Sequence, residues 1–145
     1  MCTAVIADRR PVLVTPAIEV LYDQWDAARR DWQVRILAYV VMPDHFHAVL
    51  WATEGRRIHK FLQRILTLTS RQITGGGGLW RERPRLLPLH SPTVLKAKVD
   101  YIHRNPLRRG LAVNPEEWEH SSFQQLVLGT NARLLVCDSW DAILP

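Results

Sequence analysis

The chain has 145 residues, 47% hydrophobic and 23% charged, a composition typical of a folded protein that excludes a disordered or fibrous chain. No apolar run approaches the roughly 20 residues of a membrane span, and the first residues lack a signal-peptide pattern, so we expect no membrane association and a cytoplasmic location. Cys2 and Cys137 are too few for a disulfide framework or a zinc cluster, and the length predicts one domain over residues 1–145.

The predicted elements alternate in type along the chain. Apolar residues at helical spacing indicate the helices, whereas β-branched and aromatic runs bounded by turn residues indicate the strands. In chain order we predict a strand at 3–6, a helix at 16–30, strands at 34–41 and 45–52, a helix at 56–73, an edge strand within 79–89, and a helix from Ser91-Pro92 to about Asn105. This order predicts an α+β, ferredoxin-like sandwich: a mainly antiparallel sheet with helices packed on one face, leaving the other face available.

The net charge of +5 is concentrated in the middle of the sequence. Between Arg56 and Arg109 lie 13 of the 19 basic residues and only two of the 14 acidic residues. Two interpretations are open: a face that binds a polyanion, or a solvated surface whose charges are neutralised across the fold. Part of this charge forms a basic stripe on the helix predicted at 56–73, opposite its buried face, at Arg57, Lys60, Arg64 and Arg71.

A His-x-His tripeptide lies at the start of the strand predicted at 45–52. Because strand side chains alternate between faces, His45 and His47 point the same way and Phe46 points into the opposite layer. Two imidazoles on one face can converge on a divalent ion, but two polar residues on a solvated sheet face would give the same pattern.

A second motif lies at the end of the last predicted helix. Tyr101 and Asn105 are four residues apart and share a helix face at the edge of the stripe formed by Leu95, Val99 and Ile102. The placement keeps the Tyr101 hydroxyl near a cleft. Taken separately, Tyr101 is better explained as a boundary aromatic, and Asn105 as a helix cap before Pro106.

Together the two motifs resemble those of a known family. Residues 42–47 (Met-Pro-Asp-His-Phe-His) are similar to the metal motif of the single-tyrosine HUH transposases, in which two histidines flank a hydrophobic residue. Residues 101–111 (Tyr-Ile-His-Arg-Asn-Pro-Leu-Arg-Arg-Gly-Leu), followed by Trp118 and Ser121-Ser122-Phe123, resemble the branch of REP-associated tyrosine transposases. The resemblance is strongest over residues 10–125.

The resemblance implies a role for each motif residue. His45 and His47 become ligands of a divalent ion, Mg²⁺ or Mn²⁺, with Asn105 as the third ligand and Tyr101 as the nucleophile. The implied activity is that of a metal-dependent transposase or endonuclease, which cleaves and rejoins single-stranded DNA through a covalent 5′-phosphotyrosine. The chemistry is consistent, because neutral imidazoles and an amide leave the ion its charge to polarise a phosphate.

The implied partner is single-stranded DNA that forms hairpins, bound by a monomer or a homodimer. The candidate phosphate contacts lie at the end of the Tyr101 helix and on part of the basic stripe. They are Arg104, Arg108, Arg109, Arg57, Lys60 and Arg64. Residues 83–90 depart from the aromatic-rich strand of many relatives, so the resemblance does not specify the DNA sequence preference. Two alternatives stay open: a non-catalytic DNA-binding protein derived from such a transposase, and a metalloenzyme acting on small molecules.

Overall fold

The structure, a computed structural model, describes residues 1–81 and 83–137. Within these residues the sheet has four strands in the order β2-β3-β1-β4, and each neighbouring pair is antiparallel. The strand bounds are Cys2–Val5 for β1, Arg35–Met42 for β2, His45–Trp51 for β3 and Arg85–Leu86 for β4. This topology is that of a ferredoxin-like α+β sandwich, and it confirms the predicted fold class.

The helices follow the predicted order. Their bounds are Ala17–Trp32 for α1, Gly55–Thr74 for α2, Pro92–His103 for α3, Asn105–Arg108 for α4 and Phe123–Leu126 for α5. Short 3-10 turns span Ala7–Arg9 and Pro115–Glu117. None of the helices among the described residues combines the length and the apolar character of a membrane span.

Two predicted boundaries are wrong. The edge strand expected within 79–89 is reduced to the two residues of β4, since Pro84 and Pro88 have no amide hydrogen to donate to a strand ladder; Glu82 lies outside the described residues. The helix expected to reach Asn105 ends at His103, and Asn105 begins α4 instead of capping α3. Pro106 is compatible with this restart, because proline fits the first turn of a helix.

The sheet separates two layers of side chains. One face carries Tyr39, Val41 and Phe46, which pack with the buried residues of α1 and α2. On the other face, Val40 and Val49 pack with Leu95, Val99 and Ile102 of α3. The face that was expected to be left available by the first two helices is therefore partly covered by the helix that carries Tyr101.

A segment after α4 closes the free edge of β2. The Trp118 Nε1–H donates to the carbonyl of Val41 (2.9 Å), and the Ser122 amide donates to the carbonyl of Tyr39 (3.0 Å). His103 at the end of α3 lies 2.8 Å from the Ser122 hydroxyl through its Nε2 atom. These contacts give Trp118 and Ser122 a structural role, and they fasten the C-terminal end of α3 to the sheet.

Candidate active site

The histidines of the His-x-His motif lie side by side on β3. Their ring centroids are 5.0 Å apart, and both side chains are buried, with exposed fractions of 3% for His45 and 7% for His47. Phe46 points to the other layer, where its ring packs 4.9 Å from that of Trp25. The alternation of strand side chains thus produces the expected pair of imidazoles on one face.

Tyr101 lies against this pair. Its ring centroid is 6.0 Å from that of His47, in an edge-to-face arrangement, and the residue is half-buried. The buried stripe of α3 holds the helix on the histidine face of the sheet, and Tyr101 stands at the edge of that stripe. His45 and His47 therefore project toward the helix that bears Tyr101.

Each histidine uses its Nδ1 atom for a contact within the protein. The His45 Nδ1 lies 2.5 Å from Oδ1 of Asp44, and the His47 Nδ1 lies 2.7 Å from the hydroxyl of Thr3. Among the described residues, neither Nε2 atom has a hydrogen-bond partner. The Nε2 atoms are thus the ones that are free to ligate an ion.

Both imidazoles are held in the neutral form at pH 7. Burial, together with the charges of His45 and Arg109, lowers the pKa of His47 to about 4. Burial also lowers the pKa of His45, although the carboxylate of Asp44 opposes that shift. A neutral imidazole is the form that binds a metal ion.

Asn105 is buried at the start of α4, with an exposed fraction of 4%, and its Nδ2 atom has no hydrogen-bond partner in the described part of the chain. An unpaired buried amide is costly, so such a group normally has a partner. Turning the amide over would present its oxygen, a ligand that Mg²⁺ and Mn²⁺ accept alongside imidazole. The donor set therefore fits a divalent ion. The described residues contain no cluster of three or more His, Cys, Asp or Glu side chains that could hold one instead.

Basic side chains surround the tyrosine. The guanidinium of Arg108 lies 5.0 Å and the ammonium of Lys98 lies 5.5 Å from the centroid of the Tyr101 ring. Arg109 is close enough for its charge to lower the pKa of both histidines. Arg108 and Arg109 are exposed and have no acidic partner in the described residues, whereas Arg104 pairs with Asp100 at 3.5 Å.

Sequence reasoning missed Lys98 and Arg9. Lys98 precedes Tyr101 by three residues, so helical spacing would have placed both on one face. Arg9 forms an ion pair with Asp44 at 3.0 Å, and its charge acts on His45. No local signal identifies Arg9, because 35 residues separate it from Asp44.

The basic stripe of α2 is not brought to this site. The helix packs against α1, on the face of the sheet opposite the histidines. Arg57 contacts Glu54, and Arg64 pairs with Asp31 at 2.6 Å, while Lys60 is exposed. Two of the three candidate DNA contacts on this helix are thus neutralised locally.

The antiparallel α+β sandwich that carries this site is shared with known proteins. The profile of the IS200-like transposase family matches residues 2–81, which include both histidines. Because this match spans more than half of the chain, the protein belongs to the IS200-like transposase family, a family of DNA-processing transposases.

Individual relatives agree with this assignment. The REP-associated tyrosine transposase of Escherichia coli (strain K12) is 25% identical over 123 residues, which cover 85% of this chain and 74% of that protein. A solved structure of a REP-associated tyrosine transposase bound to a REP hairpin has a TM-score of 0.75 at 24% identity, over 94% of this chain and 84% of that one. A crystal structure of a candidate transposase from Deinococcus radiodurans R1 has a TM-score of 0.52 at 23% identity, over 71% and 86%. These two structures share the fold.

Proposed function

We propose that this protein is a metal-dependent transposase that cleaves and rejoins single-stranded DNA, with Tyr101 as nucleophile and His45, His47 and Asn105 as ligands of Mg²⁺ or Mn²⁺. We propose one such domain over residues 1–145. The observation that carries the proposal is the 6.0 Å approach of the Tyr101 ring to His47, on the sheet face that also bears His45.

The proposed ligands would hold the ion through different atoms. The Nε2 atoms of the two histidines have no partner among the described residues, and neutral imidazoles at pH 7 are ready to bind. Asn105 would contribute its amide oxygen, which is consistent with its unpaired buried amide. A divalent ion held there supplies positive charge that polarises the scissile phosphate.

Tyr101 would form a covalent bond with the DNA. The phenol oxygen attacks the phosphorus, a new O–P bond forms, and the bond between phosphorus and the 3′ oxygen breaks. The phenol proton is balanced by the proton that the leaving 3′ oxygen takes up, so the products are a 5′-phosphotyrosine and a 3′ hydroxyl. Since the ester retains the bond, a 3′ hydroxyl can reverse the step without another reactant.

The DNA is proposed to be a single strand that forms a hairpin, as in the solved relative that is bound to a REP hairpin. Arg108 and Arg109 suit phosphate contacts beside the tyrosine, because they are exposed and have no acidic partner in the described residues. Arg104 would join them by exchanging Asp100 for a phosphate. The α2 stripe of Arg57, Lys60 and Arg64 stays a prediction for contacts with more distant DNA.

The decisive test replaces Tyr101 with Phe. Incubation with an end-labelled single-stranded hairpin and Mn²⁺ should give a covalent adduct on Tyr101 in the wild type, located by mass spectrometry, and neither cleavage nor adduct in Tyr101→Phe. Tyr39→Phe is the matched control, since Tyr39 is buried on the opposite face of the sheet. Cleavage by Tyr101→Phe would refute the proposal. Hairpin binding without any wild-type cleavage would instead favour a non-catalytic DNA-binding protein.

The ligands are tested separately by titration calorimetry. We expect one Mn²⁺ site in the wild type and none in the His45→Ala, His47→Ala double variant, with both proteins folded. His59→Ala removes an exposed histidine of α2 and serves as the control. Unchanged binding by the double variant would show that these histidines are not the ligands.

A further inference from the structure

The contacts made by the Nδ1 atoms of His45 and His47 differ in chemistry. The His45 Nδ1 contacts a carboxylate, that of Asp44, at 2.5 Å. The His47 Nδ1 contacts a hydroxyl, that of Thr3, at 2.7 Å. The difference matters because a neutral imidazole carries a single N–H, and only the other nitrogen can bind a metal ion.

The Asp44 contact leaves His45 one tautomer. An ionised carboxylate can only accept a hydrogen bond, so His45 must donate from Nδ1 and keep its lone pair on Nε2. Asp44 is itself fixed, since Arg9 donates to its Oδ2 atom at 3.0 Å and the Ile6 amide donates to its backbone carbonyl at 2.8 Å. The turn between β2 and β3 thus orients His45 before any ion is bound.

The Thr3 contact leaves His47 two tautomers. A hydroxyl can accept from the Nδ1–H, which frees the Nε2 lone pair, or it can donate to Nδ1, which puts the hydrogen on Nε2. Thr3 is held opposite His47 by the register of β1 and β3, so the contact is built into the sheet. His47 is therefore able to bind an ion in only one of its two hydrogen-bonding states.

We propose that Asp44 and Thr3 are positioning residues for the metal ligands, with Asp44 fixing His45 in the binding tautomer and Thr3 allowing His47 to adopt it when an ion arrives. The inference rests on the proposed function, because it assumes that the histidines bind an ion. Loss of such supporting contacts typically weakens metal binding by roughly 10- to 100-fold.

The first experiment observes the tautomers without metal. Long-range ¹H–¹⁵N spectra of histidine-labelled protein at pH 7, in a chelator, should show His45 protonated on Nδ1 alone and His47 as a mixture. In Asp44→Ala, His45 should become a mixture too, and Asp44→Asn should restore the Nδ1–H form in part, because an amide oxygen can still accept. A wild-type His45 protonated on Nε2 would overturn the proposal.

The second experiment measures Mn²⁺ affinity by calorimetry on the same proteins. Asp44→Ala should weaken binding by roughly 10- to 100-fold, Asp44→Asn less, and Thr3→Val by a smaller factor than Asp44→Ala. Asp26→Ala is the control, since Asp26 is also ion-paired, with Arg29 and Arg30, but touches no histidine. Unchanged affinity in Asp44→Ala would overturn this proposal alone, whereas no Mn²⁺ binding by the wild type would overturn the proposed function as well.

Discussion

The buried histidines His47 and His103 should make the folded protein lose stability in acid. Burial lowers the pKa of His103 to about 4, and burial with the charges of His45 and Arg109 lowers that of His47 to about 4. In the unfolded chain a histidine has a pKa of about 6.5. The unfolded state therefore binds more protons than the folded state between these values. The stability that these two neutral histidines contribute is fully present above about pH 6.5 and is lost as the pH falls toward 4.

The size of the effect follows from the difference between the two pKa values. Lowering the pH from 7 to 5 should reduce the free energy of unfolding by about 2 kcal/mol for each of the two histidines. A total of roughly 4 kcal/mol is a large part of the 5–15 kcal/mol that stabilises an ordinary domain. Urea unfolding followed by tryptophan fluorescence, in a chelator that keeps the site free of metal, measures this loss directly.

The variant His103→Gln separates this effect from general acid sensitivity. Glutamine stays neutral, and its amide can still donate to the Ser122 hydroxyl that lies 2.8 Å from the His103 ring. The stability lost between pH 7 and pH 5 should shrink by about 2 kcal/mol in His103→Gln and remain unchanged in His90→Gln, where the histidine is exposed. If His103→Gln loses as much stability as the wild type, burial of a neutral His103 is the wrong explanation.

Three further outcomes are expected. Arg109→Ala should weaken binding of single-stranded DNA and lower the salt slope by about one, in filter-binding assays at several salt concentrations, and Arg64→Ala should do so less because Asp31 already neutralises it. Ser91→Ala should cost about 1 kcal/mol in urea unfolding, because the Ser91 hydroxyl accepts from the Val94 amide at the start of α3. The Mn²⁺ affinity measured by calorimetry should be unchanged at pH 6 and should decrease at pH values below about 5, because protons then begin to compete for His47. Complete loss of binding already at pH 6 would contradict the low pKa of His47.

The local features of this protein follow from the sequence alone. Alternation of side chains along a strand puts His45 and His47 on one face, independently of how the rest of the chain packs. The Ser91-Pro92 pair starts α3 through a contact between neighbours in sequence, and apolar spacing defines the buried sides of α2 and α3. These features depend on residues a few positions apart, so they can be read before any packing is known.

Only the tertiary structure decided which buried faces of the helices and the sheet pack against each other. An apolar stripe shows that a helix face is covered but does not identify the surface that covers it. Packing against Val40 and Val49 placed α3, and with it Tyr101, on the histidine face. Packing against α1 placed the basic stripe of α2 on the opposite face, an outcome that its composition could not reveal.

The supporting contacts of the site were also decided by the fold. Thr3 reaches His47 through the pairing of β1 with β3, and Arg9 reaches Asp44 through the turn that follows β1. Each contact joins residues more than 30 positions apart, and neither threonine nor arginine has a local pattern that marks such a role. The sequence therefore specifies the groups that can react, while strand pairing and helix packing determine their orientation and their neighbours.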